Sequence, residues 1–162
     1  MSPRILIVDD HEIVREGIRN LLARSGKNWE VCGDASNASD AIVAVKSLRP
    51  DVVVLDVTMP GISGLEASRL IGRLDPGTRV LIFTMHDSSR IAVDVRDAGA
   101  HGYVSKSQAN RDLVLAIQTL LSGGTFFGVP SEPSPGAREN PDRGRNLSCR
   151  PPLANRLRPR SV

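Results

Sequence analysis

The sequence predicts an α/β fold in which five strands alternate with five helices around one parallel sheet. Short apolar runs at residues 5–8, 29–33, 52–55, 80–83 and 102–104 predict the strands. After each run the apolar residues recur every three or four positions, as they do in amphipathic helices. Aromatic residues make up only 3% of the chain, so the core must consist of Val, Ile, Leu and Ala. That composition favours a helix-covered parallel sheet over an aromatic-rich β-sandwich.

The strand runs differ in how completely apolar they are. Residues 5–8, 52–55 and 80–83 are continuously apolar, as expected for central strands that are buried on both faces. Residues 29–33 and 102–104 contain polar or small residues, so we expect these two strands at the edges of the sheet.

Each connecting segment carries an apolar stripe with helical spacing. The stripes are Val14, Ile18, Leu21 and Leu22; Ala38, Ala41, Ile42 and Val45; Ala67, Leu70, Ile71 and Leu74; Ile91, Val95 and Ala98; and Leu113, Ile117, Leu120 and Leu121. Asn37, Ser63 and Ser107 are predicted N-caps, and Gly26 and Gly99 are predicted helix stops. The resulting (βα)₅ pattern requires right-handed crossovers and places ligands beyond the carboxyl ends of the strands.

The composition divides the chain into a predicted domain at residues 1–122 and a linker and tail at residues 123–162. Residues 129–162 contain 7 of the 11 prolines and a net charge of +4, whereas residues 1–128 have a net charge of −1. The tail shows no helical or strand period, so we expect it to be disordered or only locally docked. The nearly neutral domain gives no electrostatic reason to expect nucleic-acid binding.

Cysteine content and hydropathy predict a cytoplasmic protein without a membrane segment. Cys32 and Cys149 are too few for a disulfide framework or a zinc site, which favours a reducing compartment. No apolar run approaches the ~20 residues that a transmembrane helix needs.

Polar residues stand at the carboxyl ends of several predicted strands. Asp9 and Asp10 follow the first strand, Asp56 the third, Thr84 the fourth, and Lys106 comes shortly after the fifth. Three carboxylates held close together repel one another and require a compensating cation. Carboxylate oxygens suit Mg²⁺ or Mn²⁺, and a lysine supplies a second positive charge. The sequence therefore predicts an acidic metal pocket at this edge of the sheet.

Four segments in the same order resemble the receiver domain of two-component response regulators. They are Ile-Val-Asp-Asp at 7–10, Leu-Asp-Val-Thr-Met-Pro-Gly-Ile-Ser-Gly at 55–64, Phe-Thr-Met-His-Asp at 83–87 and Gly-Ala-His-Gly-Tyr-Val-Ser-Lys at 99–106. Residues 85–87 and 123–127 most resemble the NarL/FixJ (LuxR-type) branch. Members of that branch usually continue into a helix-turn-helix DNA-binding domain.

The resemblance implies a phosphorylation-dependent switch with strand order 2-1-3-4-5 and helices on both faces of the sheet. It implies a sensor histidine kinase as partner, a signalling role rather than an enzymatic one, and an output or homodimer face formed by the fourth helix, fifth strand and fifth helix. The residue roles that it implies are Asp56 as phosphoryl acceptor; Asp9, Asp10, Asp56 and the Thr58 carbonyl as Mg²⁺ ligands; Lys106 and Thr84 as phosphoryl contacts; and Tyr103 as the rotameric switch.

Other interpretations of these residues have less support. A strand-end aspartate such as Asp10 can instead be a helix N-cap. Haloacid-dehalogenase-type phosphatases also use a strand-end Asp, but their motif is Asp-x-Asp. In this sequence Thr58 stands where the second aspartate of that motif would be. No Gly-x-Gly-x-x-Gly follows the first strand, which argues against dinucleotide binding. His11 is expected to be an exposed helix-start residue rather than a ligand.

Two kinds of response regulator remain open. One is a stand-alone receiver that signals by protein–protein contact, and the other is the receiver part of a transcription factor. Residues 129–162 show no helix-turn-helix pattern, so a truncated or replaced C-terminal domain is one explanation of their composition. We expect no DNA binding by this chain alone.

Overall fold

A computed structural model describes residues 1–86, 88 and 90–127, and the predicted tail from residue 128 onward lies outside this part of the chain. The described part contains a five-stranded parallel sheet in the order β2-β1-β3-β4-β5, which confirms the predicted fold class. The strands are β1 (Arg4–Val8), β2 (Glu30–Ala35), β3 (Val52–Asp56), β4 (Arg79–Thr84) and β5 (Gly102–Ser105). The α-helices are α1 (Glu12–Arg24), α2 (Ala38–Leu48), α3 (Gly64–Leu74), α4 (Ile91–Asp97) and α5 (Ala109–Leu121).

Two apolar layers cover the sheet, one on each face. Alternate residues of a strand point to opposite faces, so Leu6 and Ile82 belong to the layer under α2, α3 and α4. Ile5 and Leu81 belong to the layer under α1 and α5. The three central strands are buried on both faces, as their continuously apolar sequences predicted.

Most of the predicted helix boundaries are confirmed. The Asn37 side chain accepts a hydrogen bond from the Asp40 N–H, and the Ser63 hydroxyl accepts one from the Glu66 N–H. Gly26 and Gly99 follow α1 and α4 with φ of +68° and +73°, the left-handed conformation that ends a helix.

The predicted cap at Ser107 is wrong. A short 3₁₀ turn, Lys106–Gln108, comes between β5 and α5, and Gln108 is the N-cap residue of α5. The Ser107 hydroxyl instead lies 2.9 Å from the Ser105 hydroxyl. The extra turn separates Lys106 from the regular helix, and leaves it directly at the end of β5.

The compact part of the chain continues past the predicted boundary at residue 122. Phe126 forms a parallel bridge with Gly102 of β5, and the described residues up to 127 belong to the same compact unit as the sheet. Within the described ranges no helix is long and apolar enough to cross a membrane.

Candidate functional site

The strand register brings the predicted site residues to one edge of the sheet. Val8 is paired with Leu55, so Asp9 follows β1 next to the place where β3 ends at Asp56. Thr84, the last residue of β4, is paired with Ser105, the residue before Lys106. Since all five strands are parallel, these four side chains share the carboxyl edge, where doubly wound folds bind ligands.

Lys106 joins the two buried carboxylates of the site. Its Nζ atom donates to an Asp9 carboxylate oxygen at 2.7 Å and lies 3.3 Å from an Asp56 carboxylate oxygen. Asp9 is 0% exposed and Asp56 is 3% exposed. A single ammonium group therefore compensates two carboxylates that water cannot reach freely, which leaves a negative excess in the pocket.

Burial and repulsion make the Asp56 carboxylate hard to ionise. Burial is the main cause that raises the pKa of Asp56 above its usual value, and the charge of Asp9 raises it further. Lys106 and the Thr58 N–H, which donates to Asp56 at 3.3 Å, offset part of this shift. Burial alone would lower the pKa of Lys106, but its contacts with Asp9 and Asp56 outweigh burial and raise that pKa. An added cation would relieve the same repulsion.

The carboxylates are arranged so that a divalent cation could bind. Ligand atoms of Asp9, Asp10, His11 and Asp56 all lie within 4.8 Å of one another. Among the described residues, Asp10 Oδ1 is a buried oxygen without a hydrogen bond, although His11 Nδ1 is 2.9 Å away. A buried carboxylate oxygen that lacks a donor is what an oxygen-liganded cation would satisfy. The residues present therefore fit Mg²⁺ or Mn²⁺.

His11 lies closer to the carboxylates than the sequence suggested. It is the N-cap residue of α1, as expected for a helix start, and its side chain is 67% exposed. Its backbone N–H donates to Asp9 Oδ1 at 2.8 Å, and its Nδ1 lies 3.2 Å from the same oxygen. The backbone contact holds the Asp9 oxygen Oδ1, whereas Lys106 donates to the other oxygen, Oδ2.

Thr84 and Tyr103 lie at different depths. Thr84 is 1% exposed, and its hydroxyl oxygen accepts a hydrogen bond from the His86 N–H at 3.0 Å. Tyr103 is half-buried in β5, with its ring centroid 6.5 Å from that of Phe127. The threonine is therefore buried at the carboxyl end of β4, whereas the tyrosine ring contacts the segment that follows α5.

Two arginines of α1 form a network beside the pocket that no sequence motif predicts. Arg15 donates to the Asp9 backbone carbonyl and to the Asp34 carboxylate, each at 2.7 Å. Arg19 also pairs with Asp34, at 2.9 Å. Arg15 thus ties the loop that carries Asp9 to the end of β2. The sequence shows only an arginine five residues after Asp10, which has no specificity by itself.

Gly64 allows α3 to begin directly against the end of β3. Its N–H donates to the Val57 carbonyl at 2.9 Å, and a Cβ atom at this position would lie 2.0 Å from the Asp56 carbonyl oxygen. Any larger residue would force the two backbones apart. The last glycine of the segment at 55–64 therefore determines where Asp56 sits relative to α3.

Comparison with known proteins agrees with this geometry. The family model described as "Response regulator receiver domain" matches residues 5–118. The chain belongs to the response regulator receiver family. The receiver domain is 42% identical over 123 residues to the response regulator UvrY of Escherichia coli (strain K12). That match covers 76% of this chain and 56% of UvrY, so the chain spans a little over half the length of this relative.

Solved structures place the receiver domain in the NarL/FixJ (LuxR-type) branch. A two-component response regulator of the LuxR family from Aurantimonas sp. SI85-9A1 is 43% identical, with a TM-score of 0.74, and the match covers 78% of this chain and 90% of that chain. The isolated REC domain of RcsB from Salmonella enterica serovar Typhimurium, solved with the phosphomimetic BeF₃⁻, is 29% identical with a TM-score of 0.72. The match covers 79% of this chain and 94% of the RcsB chain. Receiver domains are signalling modules of two-component systems rather than classical enzymes.

Proposed function

We propose that Asp56 is the phosphoryl acceptor of this receiver domain and that a sensor histidine kinase is the donor. The observation that carries the proposal is the position of Lys106 Nζ, 2.7 Å from Asp9 and 3.3 Å from Asp56. A buried carboxylate beside a lysine and further acids, at the carboxyl edge of the sheet, is suited to receive a charged group.

The transfer makes one bond and breaks another. A carboxylate oxygen of Asp56 attacks the phosphorus of the donor phosphohistidine, so a P–O bond forms while the P–N bond breaks. The leaving imidazole takes up a proton, and Asp56 becomes an acyl phosphate. Hydrolysis of that anhydride by water later restores the carboxylate, which makes the modification reversible.

Each pocket residue has a role in this proposal. Asp9, Asp10, Asp56 and the Thr58 carbonyl would hold Mg²⁺, which when bound neutralises charge on the phosphoryl oxygens. Lys106 would move from its contact with Asp56 to a phosphoryl oxygen while keeping Asp9. Thr84 would release the His86 N–H and donate its hydroxyl proton to another phosphoryl oxygen. The Tyr103 ring would turn into the space that Thr84 leaves.

Acetyl phosphate with Mg²⁺ followed by intact-mass spectrometry tests the assignment. The wild type should gain the mass of one phosphoryl group, and Asp56→Asn should gain none. Asp75→Asn is a matched control, since Asp75 caps the far end of α3 and its contact with the Gly77 N–H is one that Asn can keep. Equal modification of Asp56→Asn would show that another residue accepts the phosphoryl group.

We infer that the output is a change on the surface formed by α4, β5 and α5. This surface carries exposed apolar side chains, including Val93 at 58% and Leu115 at 50% exposure, which suit a homodimer contact. Light scattering with and without beryllofluoride tests the inference: an increase in mass that Leu115→Asp abolishes would support it. An unchanged mass would mean that this surface does not mediate self-association.

A second candidate is that the receiver is part of a DNA-binding regulator. The length of UvrY favours it, because the match covers only 56% of that protein. For this chain alone we expect no sequence-specific DNA binding. Gel shifts at two salt concentrations test this, because contacts to phosphates only would weaken with salt and show no sequence preference.

The cytoplasmic location expected from the cysteine content stays a prediction.

A further inference from the structure

The chain does not leave the domain where α5 ends. It turns at Gly123, which has φ of +87°, and residues 124–127 then run along the outer edge of β5; we call these four residues the strap. The Phe126 N–H donates to the His101 carbonyl at 3.0 Å, and the Phe126 carbonyl accepts from the Tyr103 N–H at 2.8 Å. The strap therefore extends the sheet by one parallel bridge.

The sequence of β5 leaves room for the strap. A Cβ atom on Gly102 would lie 2.2 Å from the Phe126 carbonyl oxygen, so the bridge requires glycine at this position. Phe126 is 9% exposed and packs in the apolar layer under α1 and α5. These contacts dock the strap as an integral part of the domain.

Phe127 lies on the other face of the sheet and contacts two residues of the output surface. Its ring is inclined at 60° to the Tyr103 ring, with centroids 6.5 Å apart, and the Arg96 guanidinium carbon lies 4.1 Å from its centroid. Tilted aromatic pairs and cation–π contacts both stabilise such an arrangement. Phe127 is therefore held by one residue of α4 and one of β5.

The register connects Tyr103 to the phosphorylation pocket. Tyr103 is paired with Ile82 and Ser105 with Thr84, and alternate residues of a strand share a face. Tyr103 and Thr84 thus lie on the same face of neighbouring strands, because Ile82, the partner of Tyr103, is two residues before Thr84. Tyr103 therefore contacts Phe127 of the strap and shares a sheet face with the threonine that is predicted to bind phosphate.

We propose that the strap is an output element of this receiver and that the Tyr103–Phe127 contact transmits phosphorylation to it. The proposal rests on the proposed function. When Thr84 turns toward a phosphoryl group, the Tyr103 ring takes the space beside it and leaves Phe127. Phe127 then keeps only Arg96 of these two partners, so the bridge at Phe126 opens more often. The docking of residues 124–127 thereby becomes dependent on whether Asp56 is phosphorylated.

Amide hydrogen exchange in the full chain tests the proposal. With beryllofluoride and Mg²⁺, exchange at the Phe126 and Tyr103 amides should accelerate about twofold to tenfold, the range that corresponds to loss of one aromatic pair. The amide of Ile7, in the centre of the sheet, is the internal control and should not accelerate. Faster exchange at all three amides would indicate general loosening and would overturn the proposed link.

Phe127→Ala tests the Tyr103–Phe127 contact separately from other effects of phosphorylation. This variant should show accelerated exchange at Phe126 without any phosphoryl analogue, and beryllofluoride should add no further acceleration. Val43→Ala removes an exposed apolar side chain from α2, outside the surface formed by α4, β5 and α5, and is the matched control, which should respond like the wild type.

Acetyl phosphate and intact mass distinguish the two possible failures. A chain that accepts a phosphoryl group on Asp56 but shows unchanged exchange at Phe126 would overturn the strap proposal alone. A chain that accepts none would overturn the proposed function and the strap proposal together.

Discussion

The Lys106 Nζ atom lies 2.7 Å from Asp9 and 3.3 Å from Asp56, so one ammonium group contacts both buried carboxylates of the pocket. The lysine side chain is only 12% exposed, which limits screening by water. Lys106 and a divalent cation therefore compensate the same charges.

Replacing Lys106 with Met should make the stability of the domain dependent on Mg²⁺. Without the cation, Lys106→Met should unfold more easily by about 2 kcal/mol, because two buried carboxylates lose their compensating charge. Saturating Mg²⁺ should restore most of that loss and stabilise the variant more than the wild type. Urea unfolding followed by Trp29 fluorescence measures both effects. Equal stabilisation of the two proteins by Mg²⁺ would contradict this account.

Arg15 and Arg19 provide a matched pair of variants for the network beside the pocket. Both contact Asp34, but only Arg15 also donates to the Asp9 carbonyl. We expect Arg15→Ala to weaken Mg²⁺ binding about tenfold, the low end of the range for loss of a residue that orients metal ligands. Arg19→Ala should leave the affinity nearly unchanged. Titration calorimetry measures both, and a similar loss in the two variants would mean that only the contact with Asp34 matters.

Gly64 and Gly72, in the same helix, should respond oppositely to alanine. A Cβ atom at Gly64 overlaps the Asp56 carbonyl oxygen at 2.0 Å, whereas one at Gly72 meets nothing within 4 Å. Gly64→Ala should therefore cost about 3 kcal/mol of stability and impair phosphorylation. Gly72→Ala should stabilise the domain by about 0.5–1 kcal/mol, because alanine favours the helix. Thermal unfolding compares the two, and a tolerated Gly64→Ala would contradict the predicted clash.

His101 should make the stability fall in mild acid. Its Nδ1 accepts the Val80 N–H at 3.1 Å, so the folded state prefers the neutral ring. Burial, with a smaller contribution from Arg79, lowers the pKa of His101 below its usual 6.5. As the pH falls, the unfolded chain therefore takes up the proton before the folded protein does. The stability that the neutral His101 ring contributes above its usual pKa is lost as the pH falls through the lowered pKa of the folded state.

A non-titrating variant isolates this effect. Since the Asn side chain also offers an acceptor, His101→Asn should lose less stability than the wild type between about pH 7.5 and about pH 5.5. Urea unfolding at the two pH values gives the difference. Parallel losses in the two proteins would assign the acid sensitivity to other groups.

Local sequence signals were sufficient where a short segment determines its own structure. Asn37 and Ser63 are predictable as caps because the acceptor and the donor lie three residues apart, as the hydrogen bonds from the Asp40 and Glu66 N–H groups show. The acidic pocket was predictable because parallel strands bring their carboxyl ends together, so Asp9 and Asp56 had to be neighbours.

Features that depend on tertiary packing were not predictable in the same way. The stripe assigned to α3 included Leu74, but Leu74 is 43% exposed, whereas Ser68, which no hydrophobic pattern selects, is 1% exposed. The side chain that faces the sheet depends on how the helix is rotated by its neighbours. Ser107 is a wrong prediction of a cap, because a serine before a helical stripe does not reveal an intervening 3₁₀ turn.

The bridge between Gly102 and Phe126 also determines where the domain can safely be shortened. A fragment cut at residue 122 would lose the partner of the Tyr103 N–H and of the His101 carbonyl. Those groups would then form an open strand edge beside newly uncovered apolar surface, which is a template for aggregation. The smallest well-behaved fragment of this receiver therefore ends no earlier than Phe127, five residues beyond the boundary that helix periodicity alone would suggest.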